Sequence, residues 1–293
     1  MLLLRLRRLR RSDGAAAAVF LAPSVIGFSV FFLIPFAAGM YYSLVDSPVN
    51  GHFAGLANYR EVLASSSFRR AARNTGWFVA VGVPVLMTFS LVLAIVLNRR
   101  LPLRRWLRTA YVMPLVIPVA SVVMVWQVLF DRQGWINALM HAAAAAPVDW
   151  MQSGWARLII VAAYVWKNAG YMMILYLAGL QSIPQEYYEA ASIDGAGTVR
   201  KFRSVTLVYL TPTTVFVLMM SLMNVFKLFR ETYLIAGDYP QSDIYQLQHY
   251  MNNQFQALDY QNLIAAAYVM AAAVALLAAL LLRAERKFRD AVE

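Results

Sequence analysis

The chain has 293 residues, 61% of them hydrophobic and only 14% charged, with a mean hydropathy of +0.55. Charged residues make up about a quarter of an ordinary soluble domain, so the composition excludes that class and points to a membrane protein. The net charge of +11 would fit a nucleic-acid binder, but the basic residues flank apolar runs instead of forming one patch, and with no cysteine there are no disulfides or thiolate metal sites.

Residues 1–16 form a basic arm carrying Arg5, Arg7, Arg8, Arg10 and Arg11. The apolar run that follows is too long for the core of a signal peptide and lacks a convincing small-residue cleavage site, so it reads as a retained first span. Crossing about 30 Å of hydrocarbon takes roughly 20 apolar residues in a helix. Runs of that kind are predicted at 17–45, 76–97, 109–130, 158–180, 209–229 and 262–282, each without Asp or Glu. None alternates like a barrel strand, and a lipid-exposed strand would leave backbone groups unpaired, so the expectation is an all-α polytopic membrane protein with six transmembrane helices. Pro23, Pro35, Pro84, Pro114 and Pro118 fall within these runs and read as kinks. Residues 17–282 form one membrane domain, with a tail at 283–293.

Lys and Arg outside the spans set the orientation. With the N-terminus in the cytoplasm, the inside segments hold 17: the arm, Arg99, Arg100, Arg104, Arg105 and Arg108, then Arg200, Lys201 and Arg203, then Arg283, Arg286, Lys287 and Arg289. The outside segments hold seven: Arg60, Arg69, Arg70, Arg73, Arg132, Arg157 and Arg230. Both termini are therefore expected in the cytoplasm.

The longest polar cytoplasmic segment is 181–208. Ser182 followed by Gln185 fits a helix N-cap with a capping box, Pro184 suits a first turn, and Asp194-Gly195 ends a short helix. A second helix from about Thr198 would gather Val199, Phe202, Val205 and Thr206 on one semi-apolar face. Such a face needs a partner. A connector lying on lipid headgroups and a protein docking element fit it equally.

Polar groups within spans are costly and by default mark a pathway. Tyr164, Lys167, Asn168 and Tyr171 fall at i, i+3, i+4 and i+7, one helical face. Lys167 is too deep to snorkel, since its stem covers only about four residues of helix rise. Lining a pathway and joining helices are the two roles open to it. Asn224 and Lys227 repeat the pattern in the fifth span. With no acidic residue expected in any span, an anionic ligand, an acidic saccharide or a sugar phosphate, would be a natural counter-charge for Lys167 and Lys227. Outside, Tyr245, Gln246, Gln248, His249, Tyr250, Asn252 and Asn253 lie close together; such side chains suit stacking and hydrogen bonding to sugars, but an interfacial aromatic belt explains the tyrosines equally well, and the cluster reads as structural or as a docking surface for an external binding protein.

No Gly-x-x-x-x-Gly-Lys-Ser/Thr run occurs, so ATP cannot be cradled that way. His52, His141 and His249 are isolated, and no metal, cofactor or catalytic cluster is expected. An ion-coupled secondary transporter is the competing class. It normally carries Asp, Glu or His in its spans, and on this reading all 15 acidic residues lie outside them.

The order Glu189-Ala190-Ala191, three residues, Gly195, nine residues, Val205, one residue, Leu207 resembles the EAA loop of binding-protein-dependent ABC importer permeases. Further stretches are similar to carbohydrate permeases of the maltose and glycerol-phosphate type: 178–184, Asp194-Gly195-Ala196, Asn98-Arg99-Arg100, Arg108-Thr109, 53–59 and Asn74-Thr75, with 113–118 and 126–130 like the first of their two permease subunits. The resemblance covers about residues 17–285. It departs where Val208 follows Leu207 in place of proline, which leaves the helix free to run into span five, and where Gly237-Asp238-Tyr239-Pro240 replaces a Gly-Gly-Pro turn.

The resemblance implies a multi-pass bacterial inner-membrane subunit that translocates a saccharide and hydrolyses nothing itself. Its partners would be an ABC ATPase dimer, a second permease of similar fold and an extracytoplasmic binding protein. It makes 181–208 the coupling loop, with Glu189 pairing a basic group of the ATPase, Ala190 and Ala191 packing closely, Gly195 bending the chain, and Asp194, Ala196 and Phe202 within the contact. It also places the polar faces of spans four and five on the transport path.

Overall fold

The computed structural model describes residues 2–99 and 102–289, with side chains for 16–99 and 102–284; Arg100 and the basic residues of the arm and of the tail beyond 284 are outside the described side chains. Among the described residues the regular structure is helical, apart from one bridge between Val45 and Phe53. Five helices are long and apolar enough to cross a membrane, and a sixth crossing arises if one sharply bent pair counts as a single span.

The first crossing is continuous: α1 (Leu2–Phe28) passes through a π-helical turn, Ser29–Leu33, into α2 (Ile34–Tyr42). No described residue of this helix from 16 to 42 is buried. It touches the rest of the chain mainly where Phe36 packs on Tyr268, ring centroids 5.0 Å apart, and the Tyr268 hydroxyl donates to the Phe36 carbonyl.

α3 (Ala57–Ala64) follows an external loop tied by Asn58, whose side chain donates to the Ser43 and Val45 carbonyls at 2.9 and 2.8 Å. α4 (Ser66–Asn98) opens on Ser65, whose Oγ accepts from the Phe68 amide, an N-cap that starts the helix ten residues before the predicted span.

The third span departs from its expected form. α5 (Arg104–Val116) and α6 (Val119–Phe130), which continues towards α7 (Trp135–Ala142), diverge by 100°. Ile117 is extended, at φ −68° and ψ 132°, as a residue before proline prefers, so Pro118 breaks the helix instead of kinking it. Pro114 stays inside α5. Beyond α7, Asn137 fastens the external turn: its Nδ2 donates to the carbonyls of Asp131, Arg132 and Val148, and its Oδ1 accepts from the Val148 amide and the Trp150 indole.

α8 (Ala156–Ser182) is the central helix. It packs along α4 and buries Phe78, Leu86, Tyr164, Met172, Met173 and Tyr176 in one core. α5 crosses α8 so closely at Gly170 that a Cβ there would lie 1.9 Å from the Tyr111 carbonyl oxygen. Because the obstacle is backbone and cannot rotate away, Gly170→Ala is expected to lower stability by about 3 kcal/mol. That would be read as a lower melting temperature in detergent; an unchanged midpoint would contradict the close crossing.

The cytoplasmic helices α9 (Gln185–Ile193) and α10 (Thr198–Lys201) come next. α10 runs through a second π-helical turn, Phe202–Thr206, into α11 (Leu207–Tyr209), and only Leu210 separates that from α12 (Thr211–Lys227), so the chain does run on into the fifth span as Leu207-Val208 allows. After Leu228 it continues as α13 (Phe229–Ala236), and α12 and α13 together form one crossing, Thr211–Ala236, longer than the predicted 209–229. The external α14 (Leu247–Gln256) precedes α15 (Tyr260–Arg289), which flanks the core beside α3 and α14.

Candidate functional sites: a membrane cavity and a cytoplasmic docking element

Near the middle of α8 a cavity of about 200 Å³ opens between α8, the α5–α6 break and the α12–α13 crossing. Tyr164, Lys167, Asn168, Asn224 and Lys227 all line it, so the two polar faces predicted for spans four and five do meet. Tyr171 is not among the lining residues. Tyr164 is 2% exposed, and its hydroxyl donates to the Ser221 carbonyl at 2.8 Å, so it joins α8 to α12. Asn168 turns its amide back to the Tyr164 carbonyl at 2.8 Å.

The sequence reading that no acidic residue enters a span is incorrect. Glu231, 6% exposed, lies inside the fifth crossing and forms an ion pair with Lys167, whose Nζ donates to Oε1. Lys167 therefore has its counter-charge within the chain, and the expectation that it awaits an anionic ligand falls. The predicted span stopped at Phe229 because Arg230 and Glu231 follow it. Helical spacing held the missing signal: Glu231 is seven residues beyond Asn224 and four beyond Lys227, on the same face.

Lys227 and Arg230 also line this cavity, and both are exposed. Among the described residues the ion pairs are His52–Asp46, Arg157–Asp243 and Lys167–Glu231, so neither Lys227 nor Arg230 has an acidic partner.

At the other end, α9 buries none of its residues, and Ile193 at its tip is 88% exposed. Glu189, Ala190 and Asp194 are exposed, and Ala191 and Ala196 half-buried. Gly195 turns the chain with φ +72°, a conformation that costs a side-chain-bearing residue strain, so the bend expected at Asp194-Gly195 is present. The predicted capping box is not. Ser182 ends α8, with its hydroxyl donating to the Gly179 carbonyl, and α9 starts from Pro184 without a side-chain cap. The predicted semi-apolar face also divides: Val205 and Thr206 are buried, while Val199 is 66% exposed.

α9 is strapped to the base of the fifth crossing. The Tyr187 and Tyr209 rings stack with centroids 4.5 Å apart, the Tyr188 and Thr206 hydroxyls lie 3.0 Å apart, and Lys201 Nζ donates to Ser192 Oγ at 2.6 Å. Behind this helix is a cavity of about 610 Å³ lined by Asn98, Arg99, Tyr188, Glu189, Lys201 and Phe202, which brings Phe202 and the Asn98-Arg99 stretch to the docking element.

The external polar cluster is mostly internal scaffolding. Asn74 donates to the carbonyls of Ser242 and Tyr245 at 2.7 and 2.8 Å, Thr75 Oγ1 accepts from the Leu247 amide, and Arg157 bonds Asn74 and Asp243. Gln246, His249 and Tyr250 are buried. Burial pushes the His249 imidazole down to about 4 against the opposing field of Asp238, so it is neutral at physiological pH and accepts the Gln246 amide hydrogen at Nδ1. Groups so engaged are not available to hold a sugar. No cluster of metal-binding side chains occurs among the described residues.

Residues 86–291 match the family described as binding-protein-dependent transport system inner membrane component. An arabinooligosaccharides transport system permease protein of Bacillus subtilis is 34% identical over 236 residues, which cover 78% of this chain and 74% of that one. A trehalose/maltose transport system permease protein of Thermococcus litoralis is 30% identical over 238 residues, 80% of this chain and 81% of that one. A solved bacterial ABC transporter involved in the import of the acidic polysaccharide alginate has a chain 21% identical, superposing with a TM-score of 0.84 over 97% of this chain and 99% of its own, a likeness of fold.

Proposed function

We infer that this chain, which belongs to the family of binding-protein-dependent transport system inner membrane components, is the saccharide-translocating permease of an ATP-driven importer, with α9 as the element through which a separate ATPase acts. The saccharide follows from relatives that carry arabinooligosaccharides and trehalose or maltose. The observation that carries the docking role is α9 itself: a short helix with no buried residue and apolar Ile193 and Val199 presented outward, yet fixed to the fifth crossing by Tyr187 and Tyr188. A helix lying on lipid would explain the exposed apolar side chains. It would not explain the two rungs linking the helix to the crossing that bears Lys227 and Glu231.

In this reading the chain sits in the bacterial inner membrane with both termini in the cytoplasm. A second permease occupies the other half of the ATPase dimer, and an external binding protein delivers the sugar. Closure of the ATPase dimer pushes α9, the Tyr187–Tyr209 and Tyr188–Thr206 rungs carry the displacement into α12 and α13, and the cavity at Lys167 opens to one side of the membrane and then the other. The permease itself performs no chemistry.

The chain has no cysteine, so Ile193→Cys creates a single reactive thiol at the tip of α9. A maleimide is expected to label it readily in the free permease and at least about tenfold more slowly once the ATPase is assembled. Equal labelling rates in the two states would place the docking surface elsewhere.

A further inference from the structure

We propose that the membrane cavity recognises a saccharide carrying an acidic group, held by Lys227 and Arg230. This rests on the permease reading and names the substrate class of the same site.

The observation that carries it is charge. Lys167 and Glu231 neutralise each other, whereas Lys227 and Arg230 line the same cavity and have no acidic partner among the described residues, so the site keeps two positive charges. Unpaired charge at membrane depth is costly and is retained where a ligand or pathway uses it. Glu231 gives Oε1 to Lys167 and its Oε2 is sealed from the cavity, so the Lys167–Glu231 pair is a fixed, neutral floor, and Lys227 and Arg230 are the charged groups left to meet a ligand.

The test is equilibrium binding to the assembled importer, purified with its second permease and ATPase but without binding protein, using two matched pairs of probes: tri-galacturonate against its methyl ester, and a hexose phosphate against the free hexose. At least one acidic probe is expected to bind about tenfold or more tightly than its neutral counterpart, since a charge-assisted hydrogen bond is worth roughly 1.5–3 kcal/mol. The Lys227→Gln, Arg230→Gln double variant is expected to lose that preference, and Lys227→Arg with Arg230 intact to keep it. Both side chains are exposed, so neither change removes packing. Equal binding of acidic and neutral members in both pairs, or a preference that survives the double variant, overturns the proposal. ATP-dependent uptake of a neutral sugar alongside either result leaves the permease reading standing, whereas its absence for every saccharide would defeat that reading separately.

Discussion

Replacing Glu231 by Gln is expected to abolish uptake and to lower stability more than any other single polar substitution in the membrane region outside its pair with Lys167. The change keeps shape and volume but leaves the Lys167 ammonium, with its side chain 15% exposed, facing a neutral amide in the interior. Removing one partner of a buried pair costs about 3–5 kcal/mol because the remaining charge is uncompensated, whereas removing both can be nearly neutral. Lys167→Gln should therefore be as damaging as Glu231→Gln, and the double variant should recover most of the lost melting temperature in detergent. A double-mutant cycle isolates this coupling. Additive losses, with no recovery in the double variant, would show that the two side chains act independently. Recovered stability without recovered uptake is the expected pattern if the pair also orients the transported molecule.

The second large effect concerns Glu189. It is exposed, forms no ion pair among the described residues and lies on a helix that buries nothing, so Glu189→Lys should leave insertion, folding and melting temperature unchanged. Against the basic ATPase surface that the proposed docking role requires, however, it would replace attraction by like-charge repulsion, worth several kcal/mol at a desolvated contact. ATP-dependent uptake should fall by about two orders of magnitude or more. Wild-type uptake from a normally inserted Glu189→Lys protein would refute the docking role.

Much of this architecture is legible from hydropathy. The first, second, fourth and sixth crossings appear where sufficiently long runs without Asp or Glu occur, and their helices extend beyond those runs, α4 by ten residues back to Ser66 and α15 on to Arg289. The third crossing is legible in extent but not in shape: Pro114 and Pro118 are equally visible in the sequence, yet one is absorbed within α5 and the other turns the chain by 100°. Which outcome follows depends on whether neighbouring elements can satisfy the freed carbonyls, and that is a tertiary property.

Glu231 was hidden for a related reason. A hydropathy window stops at Arg230 and Glu231, whereas the helix continues because Lys167, 64 residues earlier, supplies the charge that makes burial of Glu231 tolerable. Several resembling stretches acquire structural reasons: Asn58 ties the first external loop, Asn74 and Thr75 fasten the segment before α14, and Gly195 supplies the left-handed turn after α9.

The buried Glu231 also alters the ground on which an ion-coupled transporter is set aside. The absence of an intramembrane carboxylate no longer serves. What separates the classes is family membership and the outward-facing α9 with its rungs to the fifth crossing. An acid locked to Lys167 suits a fixed structural charge better than a relay that must load and release a proton, and the energy source decides between the two.

The most direct measurement is sugar uptake into proteoliposomes holding this chain with its second permease, its ATPase and its binding protein, comparing ATP with an imposed proton or sodium gradient and using Glu189→Lys as the uncoupled control. Uptake that requires ATP, ignores the gradient and disappears in Glu189→Lys is the predicted result. Uptake driven by the gradient without ATP, at equal rates in the wild type and Glu189→Lys, would contradict it.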